Sequence, residues 1–180
     1  MKEKLDFVKV IDNYDLVCSR SYNYIKTRFS EEINDFYVAE IDSHYMDGIK
    51  LFEHYDISNY LGVNCLICEC KRGQNINYAA LLVPTGYRYN MSSTVRKHTN
   101  SRMVSVADLE FVLSSTNMEY GSINPIGLPS CWKIFIDPKV LNSDMIICGS
   151  GLKHSKLLLP SRFLLKLENV EILSGLAKED

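Results

Sequence analysis

Two apolar segments in the middle of the chain, Val63 to Cys70 and Tyr78 to Val83, constrain the fold most. Between them lies Lys71-Arg72-Gly73-Gln74-Asn75, which has the length and the glycine of a hairpin loop. The pattern therefore predicts an antiparallel strand pair. Because the apolar residues form runs and do not alternate with polar ones, we expect a sheet that is covered on both faces or curled into a barrel.

Shorter segments add further strands and several helices to this pair. Apolar runs broken by turn residues predict strands at 36–41, 103–105, 132–136, 145–148, 156–159 and 170–173. Apolar spacing and capping residues predict one or two helices within residues 1–28 and others at 42–55, 92–98, 106–113 and 162–167. The fold class is therefore α+β, and the length of 180 residues leaves room for one domain.

The composition is that of an ordinary globular protein, with 46% hydrophobic and 23% charged residues. No stretch reaches the ~18 apolar residues of a membrane span, and Met1 to Asp6 lacks the apolar run of a signal peptide. We therefore expect a cytoplasmic protein with no membrane partner and with reduced cysteines. In a strand Cys68 and Cys70 face one side and Cys65 the other, which disfavours a metal site; we expect no metal and no cofactor.

Charge is distributed unevenly along the chain, although the net charge is only −2. Residues 1–70 carry 7 basic and 13 acidic side chains, a net charge of −6, whereas residues 71–180 carry 13 basic and 9 acidic ones, a net charge of +4. A basic surface for RNA is therefore expected in the C-terminal part, with Arg96 and Lys97 in one stretch and Lys153 and Lys156 in another. Solvated surface charge is the alternative interpretation.

General catalytic motifs such as a P-loop, GxSxG, HExxH or GxGxxG are absent. A loop rich in turn-forming residues, Met118 to Pro129, instead precedes the strand predicted at 132–136. Its glycines allow close backbone approach and its prolines stiffen the chain, so several backbone N–H groups can face one ligand oxygen. A structural turn is the alternative. A second loop, Cys148 to Lys156, joins two predicted strands through Gly149 and Gly151 and is not followed by the helix of a dinucleotide-binding loop.

These two loops, with their order and flanks, resemble the YbaK/ProX family of aminoacyl-tRNA editing domains over most of residues 36–177. The stretch from Gly121 to Gly127 resembles the family's GxxxP motif, and it is followed by a strand that ends in Asp137. Gly149-Ser150-Gly151 resembles the family's later glycine turn, and Pro160 with Leu164-Leu165 its closing proline-leucine stretch. The ordered set is more specific than GxxxP alone.

The resemblance implies an α+β fold in which a mixed sheet curves into a barrel-like core with surrounding helices. It implies one domain over residues 1–180, in which residues 1–35 form an N-terminal helical extension. It also implies hydrolysis of the ester that joins a wrong amino acid to its tRNA. We therefore expect a free-standing deacylase acting in trans, with the aminoacylated 3′ end of tRNA as its partner and a synthetase as a further candidate.

One position departs from the family pattern. Family members with editing roles usually carry a lysine near the start of the strand that leads into the hairpin, in a pattern like Lys-Thr/Ser-Leu-Val. The equivalent place here reads Asn64-Cys65-Leu66-Ile67, so the position falls to Asn64, whose amide brings no charge. Three readings stay open: the chemistry does not need the cation, another cation enters the site, or the domain only binds its ligand.

Site residues follow from the resemblance and from what deacylation requires. Backbone N–H groups from Gly121 to Asn124 are expected to orient the ester carbonyl, and Asn64 to fix the aminoacyl group. The proposed catalytic residues are Asn64, Gly121 and Ser122. The proposed substrate-binding residues are Ile123, Asn124, Pro125, Glu119, Gly149, Ser150, Gly151 and His54. For His54 a structural hydrogen bond, and for Glu119 an exposed loop carboxylate, are the alternatives.

Two other functional classes compete with the deacylase. A non-catalytic module would use the same pocket to bind an aminoacyl-tRNA end or a nucleotide-linked ligand, and Asn64 is the reason to consider it. A purely structural partner of a synthetase is the third hypothesis, and it predicts that mutations in the pocket change nothing. We also expect Asn64, the loop from Gly121 to Pro125 and the edge formed by Gly149 to Gly151 to meet around one cavity.

Overall fold

The hairpin predicted from the two apolar segments forms the centre of the sheet. In the computed structural model, which describes residues 2–179, strand β3 spans Leu61–Arg72 and strand β4 spans Asn75–Pro84. The two strands pair antiparallel along ten positions, from Val63 with Pro84 to Arg72 with Asn75. The predicted strand pair is confirmed, and its long uninterrupted pairing supplies a rigid base for the rest of the fold.

Seven further strands complete a nine-stranded mixed sheet, in the order β1-β2-β9-β8-β3-β4-β7-β10 with β6 paired to the far end of β3. The strands are β1 (Val8–Lys9), β2 (Tyr37–Glu40), β6 (Met103–Val106), β7 (Lys133–Ile136), β8 (Met145–Gly149), β9 (Ser155–Pro160) and β10 (Val170–Ile172). A separate two-stranded sheet joins β5 (Arg88–Tyr89) to β11 (Ala177–Lys178). The parallel pairs β3 with β8, β4 with β7 and β7 with β10 make the sheet mixed.

The predicted α+β class is confirmed, and every strand predicted from the sequence is present. No pairing joins the two end strands β1 and β10 within residues 2–179, so the closure implied by a barrel-like core stays a prediction. The four α-helices of the described residues are short: α1 (Ser19–Arg28), α2 (Gly48–His54), α3 (Arg96–His98) and α4 (Leu109–Thr116).

Helix boundaries differ from the prediction where a capping side chain decides them. The helix predicted at 42–55 splits into a 3-10 turn, Ser43–Tyr45, and α2, because Asp47 accepts hydrogen bonds from the backbone of Ile49 and Lys50. Helix α4 begins three residues later than predicted, because Asp108 caps it. The helix predicted at 162–167 is the 3-10 turn Ser161–Lys166.

The first 35 residues are integrated into the core. Helix α1 confirms one predicted helix, but the earlier segment contains the two-residue strand β1, paired with β2, and short 3-10 turns. Residues 2–18 contain no α-helix, because Val8 and Lys9 pair with β2 and Val10 is fully buried. Phe29 packs edge to face against Phe36, so this segment closes one side of the main core.

Residues 2–179 contain no helix that is long and apolar enough to cross a membrane. The same residues contain no group of three or more histidine, cysteine, aspartate or glutamate side chains able to hold a metal ion. As predicted, Cys68 and Cys70 share a buried face of β3, with 3.9 Å between their sulfur atoms, whereas Cys65 faces the other side.

Candidate active site

One cavity of about 440 Å³ collects chemistry-bearing residues from distant parts of the chain. Its floor is the first half of β3, and its walls are the start of α2, the loop that contains Gly121, the end of β8, and the segment from β6 into α4. The lining residues include Met46, Asp47, Gly48, Val63, Asn64, Cys65, Ile67, Tyr89, Val106, Leu109, Val112, Tyr120, Gly121, Ile123, Gly149 and Lys156. Most of this wall is apolar, with few polar groups.

Three adjacent strands place Asn64, Gly149 and Lys156 in one row across the sheet. Gly149 on β8 is the antiparallel partner of Lys156 on β9. Strands β3 and β8 pair in parallel with Gly62 level with Ile147, and the same register continued by two residues sets Asn64 level with Gly149. Residues in one row project to the same face of a sheet, and the glycine in the middle adds no side chain of its own there.

Gly149 also lets the loop from Gly121 to Asn124 lie directly against β8. A Cβ atom added at Gly149 would overlap the carbonyl groups of Ser122 and Ile123. On the other side of the same loop, Gly121 has a φ of 79°, which favours glycine, and faces the thioether of Met46. The two predicted glycine loops are therefore packed against each other, which explains why both are rich in glycine.

The backbone of this loop presents two free donors at the cavity wall. The N–H of Ser122 donates to the carbonyl of Glu119, and the N–H of Asn124 points to the sulfur of Met118. The N–H groups of Gly121 and Ile123 have no acceptor in the part of the chain that the structure describes. The predicted donor set of four is thereby reduced to two residues of the wall.

Lys156 lies inside the cavity, and its predicted place on an exposed RNA-binding surface is wrong. Its side chain is 94% buried, because β9 is a central strand flanked on both sides by β2 and β8. Its ammonium has no hydrogen bond or ion pair within residues 2–179. Burial lowers its pKa, while the thiol of Cys148 and the carboxylate of Asp47 act in the opposite direction.

Asn64 is held in place by a neighbour on the paired strand. The hydroxyl of Thr85, just beyond β4, donates to Asn64 Oδ1 at 3.3 Å, which leaves the amide NH₂ without an acceptor among the described residues. Two other polar groups of the wall are neutral, because burial raises the pKa of both the Cys65 thiol and the Tyr89 hydroxyl. Among the described residues that line the cavity, Lys156 is the one lysine and Asp47 the one carboxylate.

Several predicted site residues lie behind the wall and hold it. Asn124 is fully buried, and its Oδ1 accepts from the Ile126 N–H at 2.8 Å while its Nδ2 donates to the Ser21 hydroxyl. Ser122 is 99% buried, and its hydroxyl has no partner in the described structure. Pro125 borders a separate shallow cleft beside Trp132. The structure does not bring these three side chains to the cavity.

The second glycine loop is also mainly structural. The Ser150 hydroxyl is buried 2.7 Å from that of Ser155 and accepts from the Leu152 N–H. Gly151 has a φ of 87°, and a Cβ there would overlap Cys18. Its N–H donates to the carbonyl of Ser122, which ties the two loops together. Of the predicted Gly149 to Gly151 edge, only Gly149 lines the cavity.

The remaining predicted residues lie on the surface. Glu119 is exposed and accepts a hydrogen bond from the backbone of Lys153 at 2.6 Å, so both stand near the mouth of the cavity beside Tyr120. Arg96 and Lys97 are exposed on α3 and do not line the cavity.

His54 belongs to a different surface. Its ring stacks on Tyr45 with 3.7 Å between centroids, and its Nε2 is 3.0 Å from the Glu3 carboxylate. A structural role, the alternative interpretation of His54, matches these contacts.

Sequence reasoning missed the wall residues that come from other elements, namely Met46, Asp47, Tyr89, Val106 and Leu109. It also missed the burial of Lys156, for which a signal existed. Lys156 starts the run Lys156 to Leu159, which was itself predicted to be a buried strand, and a lysine in such a strand is unusual.

The family comparison covers the part of the chain that forms most of this cavity. The profile of the aminoacyl-tRNA editing domain matches residues 50–167, which contain β3 to β9 and nearly the whole cavity wall. No protein of curated function matches the chain by sequence. The chain belongs to the aminoacyl-tRNA editing domain family, as the resemblance predicted.

Solved structures share the fold. A protein described as a proposed trans-editing enzyme for prolyl tRNA synthetase superposes with a TM-score of 0.71 at 16% identity, covering 89% of this chain and 96% of that one. A protein described only as hypothetical gives a TM-score of 0.70 at 16% identity, with 89% and 100% covered. A third, from Marinobacter aquaeolei and assigned to signal transduction, gives 0.55 at 10% identity and covers 87% of this chain but 31% of that one.

Proposed function

We propose that this protein is a deacylase that hydrolyses the ester of mischarged aminoacyl-tRNA in trans. The observation that carries the proposal is the cavity, in which the Lys156 ammonium, the Asn64 NH₂ and two backbone N–H groups have no acceptor within residues 2–179. A wall of unpaired donors fits a ligand rich in acceptor oxygens, such as an aminoacyl ester. Membership of the editing domain family and the likeness to a protein described as a trans-editing enzyme support the same reading.

The reaction needs water but no protein nucleophile. The water oxygen attacks the acyl carbon, and the electron pair of the C=O bond moves to the carbonyl oxygen. When this tetrahedral species collapses, the bond from the acyl carbon to the ribose oxygen breaks and the ribose oxygen takes up a proton. The products are the free amino acid, the tRNA with its 3′-terminal hydroxyl restored, and one released proton.

The free N–H groups of Gly121 and Ile123 are the proposed donors to the carbonyl oxygen as its negative charge develops. Loss of one such donor costs about 3 kcal/mol of transition-state stabilisation in enzymes where it has been measured. Asn64, fixed by Thr85, would donate its NH₂ to the aminoacyl group. Cys65 is a poor nucleophile, because burial keeps its thiol protonated.

The apolar part of the wall would choose the amino acid by size. Val63, Ile67 and Val112 line the cavity and are proposed to limit the size of the side chain that it admits. One methylene changes binding in such a pocket by about 1–3 kcal/mol, the range in which synthetases themselves make errors. The first substrate to test is a proline tRNA that carries a wrong amino acid, because the structural neighbour is described as a trans-editing enzyme for prolyl tRNA synthetase.

The tRNA body would lie outside the cavity. Lys153 stands beside the cavity mouth through its contact with Glu119, and Arg96 and Lys97 form a second exposed basic group. These residues are proposed to contact phosphates. A substrate of charged tRNA would place the protein in the cytoplasm, and a synthetase that releases such tRNA is a further proposed partner.

A panel of tRNAs charged with each of the twenty amino acids tests the proposal. We expect cleavage of at least one mischarged ester well above the rate without protein, and equal loss of that activity in Gly121→Val and Gly149→Val. If no ester is cleaved faster than in the absence of the protein, the proposed deacylase activity is refuted.

The binding module stays the second candidate, because Asn64 gives no charge where the family usually has one. It predicts tight binding of a stable amide analogue of aminoacyl-adenosine together with no turnover of the true ester. Substitution of Asn64 by lysine separates the two: a deacylase that retains the family's machinery should gain or lose rate, whereas a binding module should change affinity alone.

A further inference from the structure

Lys156 is the most unusual charged residue of the chain. It is 94% buried, yet its ammonium has no hydrogen bond or ion pair with any residue from 2 to 179. The lysines with described ion pairs are far more exposed: the exposed fraction of the side chain is 53% for Lys133, 50% for Lys166 and 32% for Lys71. A buried charge without a partner is costly, so its retention calls for a ligand that supplies the partner.

Lys156 has small neighbours on both adjacent strands, and it lines the cavity. The row partners of Lys156 are Ala39 on β2 and Gly149 on β8, the two smallest residue types. These partners add no bulk beside the lysine stem, and Lys156 lines the same cavity as Asn64 and Gly149. Gly149 in turn carries the loop whose free N–H groups belong to Gly121 and Ile123.

We propose that Lys156 contacts the substrate and donates to the acyl oxygen of the ester, supplying from β9 the cation that position 64 lacks. The inference rests on the proposed function. Of the three readings of Asn64, it selects the entry of another cation into the site. Because the acyl oxygen becomes an oxyanion during attack by water, an ammonium at this point stabilises the transition state more than the bound ester.

The charges around Lys156 suit this role. Asp47 on the cavity wall is the nearby carboxylate, and its oxygen is engaged by the backbone of Ile49 and Lys50, so it favours the ammonium without pairing to it. The thiol of Cys148 lies under the same row and is kept neutral, because burial raises its pKa to about 12. The cation is thus left available for an oxygen of the substrate.

The test uses Lys156→Met, with Lys156→Gln as a second variant and Lys26→Met as the control. Lys26 is an exposed lysine of α1 that does not line the cavity. For the ester that the wild-type protein cleaves, we expect the single-turnover rate to fall by about 10²-fold in both Lys156 variants and by less than about threefold in the control. Equal rates in wild type and Lys156→Met would overturn the inference while leaving the deacylase intact.

A binding readout keeps the inference testable if no ester is cleaved. Stable amide analogues of aminoacyl-adenosine, which retain the acyl oxygen, should bind the wild-type protein at least tenfold more tightly than Lys156→Met. Adenosine, which lacks the acyl group, should bind both alike. If the wild-type protein cleaves no ester but binds the analogue in this lysine-dependent way, the proposed deacylase activity is refuted and the proposed contact of Lys156 with the acyl oxygen stands. Equal affinity of the wild-type protein and Lys156→Met for the analogue would overturn the proposed contact, and so would the absence of binding.

Discussion

Two sets of polar groups lie in and around the loop from Gly121 to Pro125, and they differ in their partners. Behind the loop, the side chains of Asn124 and Ser150 are fully bonded within the chain. In front of it, Lys156 and the N–H groups of Gly121 and Ile123 have no partner among the described residues. The first set holds the loop in shape, and the second is left open. Polar groups that line a cavity without a partner are candidates for ligand contact, whereas polar groups that are bonded within the chain hold its structure.

The largest effect is expected from the bonded set. Asn124→Ala leaves the Ile126 N–H and the Ser21 hydroxyl without their partner, so we expect the free energy of unfolding to fall by about 1–3 kcal/mol. Urea denaturation measures this. Asn75→Ala, at an exposed position of the hairpin, is the control and should change stability by less than about 0.5 kcal/mol. Equal losses of stability in Asn124→Ala and Asn75→Ala would show that the hydrogen bonds of Asn124 do not stabilise the loop.

The open set should respond in the opposite sense. Lys156→Met removes a buried unpaired charge, so we expect the free energy of unfolding at neutral pH to rise by about 1 kcal/mol while activity falls. The folded-state pKa of Lys156 is lowered, so the unfolded state binds its proton more tightly and the wild type is penalised at neutral pH.

That penalty disappears as pH rises toward the ordinary lysine pKa of 10.5. The stability difference between Lys156→Met and wild type should therefore shrink with rising pH. The difference is the quantity to measure, because Cys148, Cys65 and Tyr89 face the same region and also titrate at alkaline pH. A difference independent of pH, or a destabilised Lys156→Met, would contradict the account.

Ser122 tests whether an unpaired polar group inside the core behaves differently from one on the cavity wall. Its hydroxyl is buried without a partner, so Ser122→Ala should raise the free energy of unfolding by up to about 1 kcal/mol. Deacylation should change by less than about threefold, because the side chain does not line the cavity. Ser150→Ala, which breaks a bonded hydroxyl, is the matched control and should lower stability. A large loss of turnover in Ser122→Ala would assign its hydroxyl to the reaction.

The smallest effect is expected from the exposed basic residues. Binding of tRNA should weaken with salt, with a log-log slope of roughly −0.7 per neutralised single-strand phosphate. Double replacement of Arg96 and Lys97 by alanine should flatten this slope without changing the rate at saturating tRNA. An unchanged slope would place the RNA on another surface, with Lys153 as the next residue to replace.

The sequence predicted the sheet well because its strands are local apolar runs punctuated by glycine and proline. Helix starts were harder, since Asp47 and Asp108 override the apolar spacing through single capping bonds. The convergence of Asn64, Gly121 and Gly149 on one cavity followed from the family resemblance and is what the structure has.

The partners of the loop residues could not be predicted. Asn124 and Ser150 look like ligand groups in the sequence, and only the tertiary contacts with Ser21 and Ser155 show that they are bonded within the chain. Lys156 looks like a surface residue because lysine usually is one. Its place in the cavity depends on strand order, which brings β9 next to β8 although the glycine loop separates them in sequence.

The most direct test of the open set is the amide spectrum of ¹⁵N-labelled protein during titration with a stable amide analogue of aminoacyl-adenosine. New hydrogen bonds move amide protons downfield. The account predicts the largest downfield shifts at Gly121 and Ile123, whose N–H groups are free, and smaller shifts at Ser122 and Asn124, whose N–H groups already have acceptors. Shifts confined to the exposed residues of α3, with Gly121 and Ile123 unchanged, would contradict it.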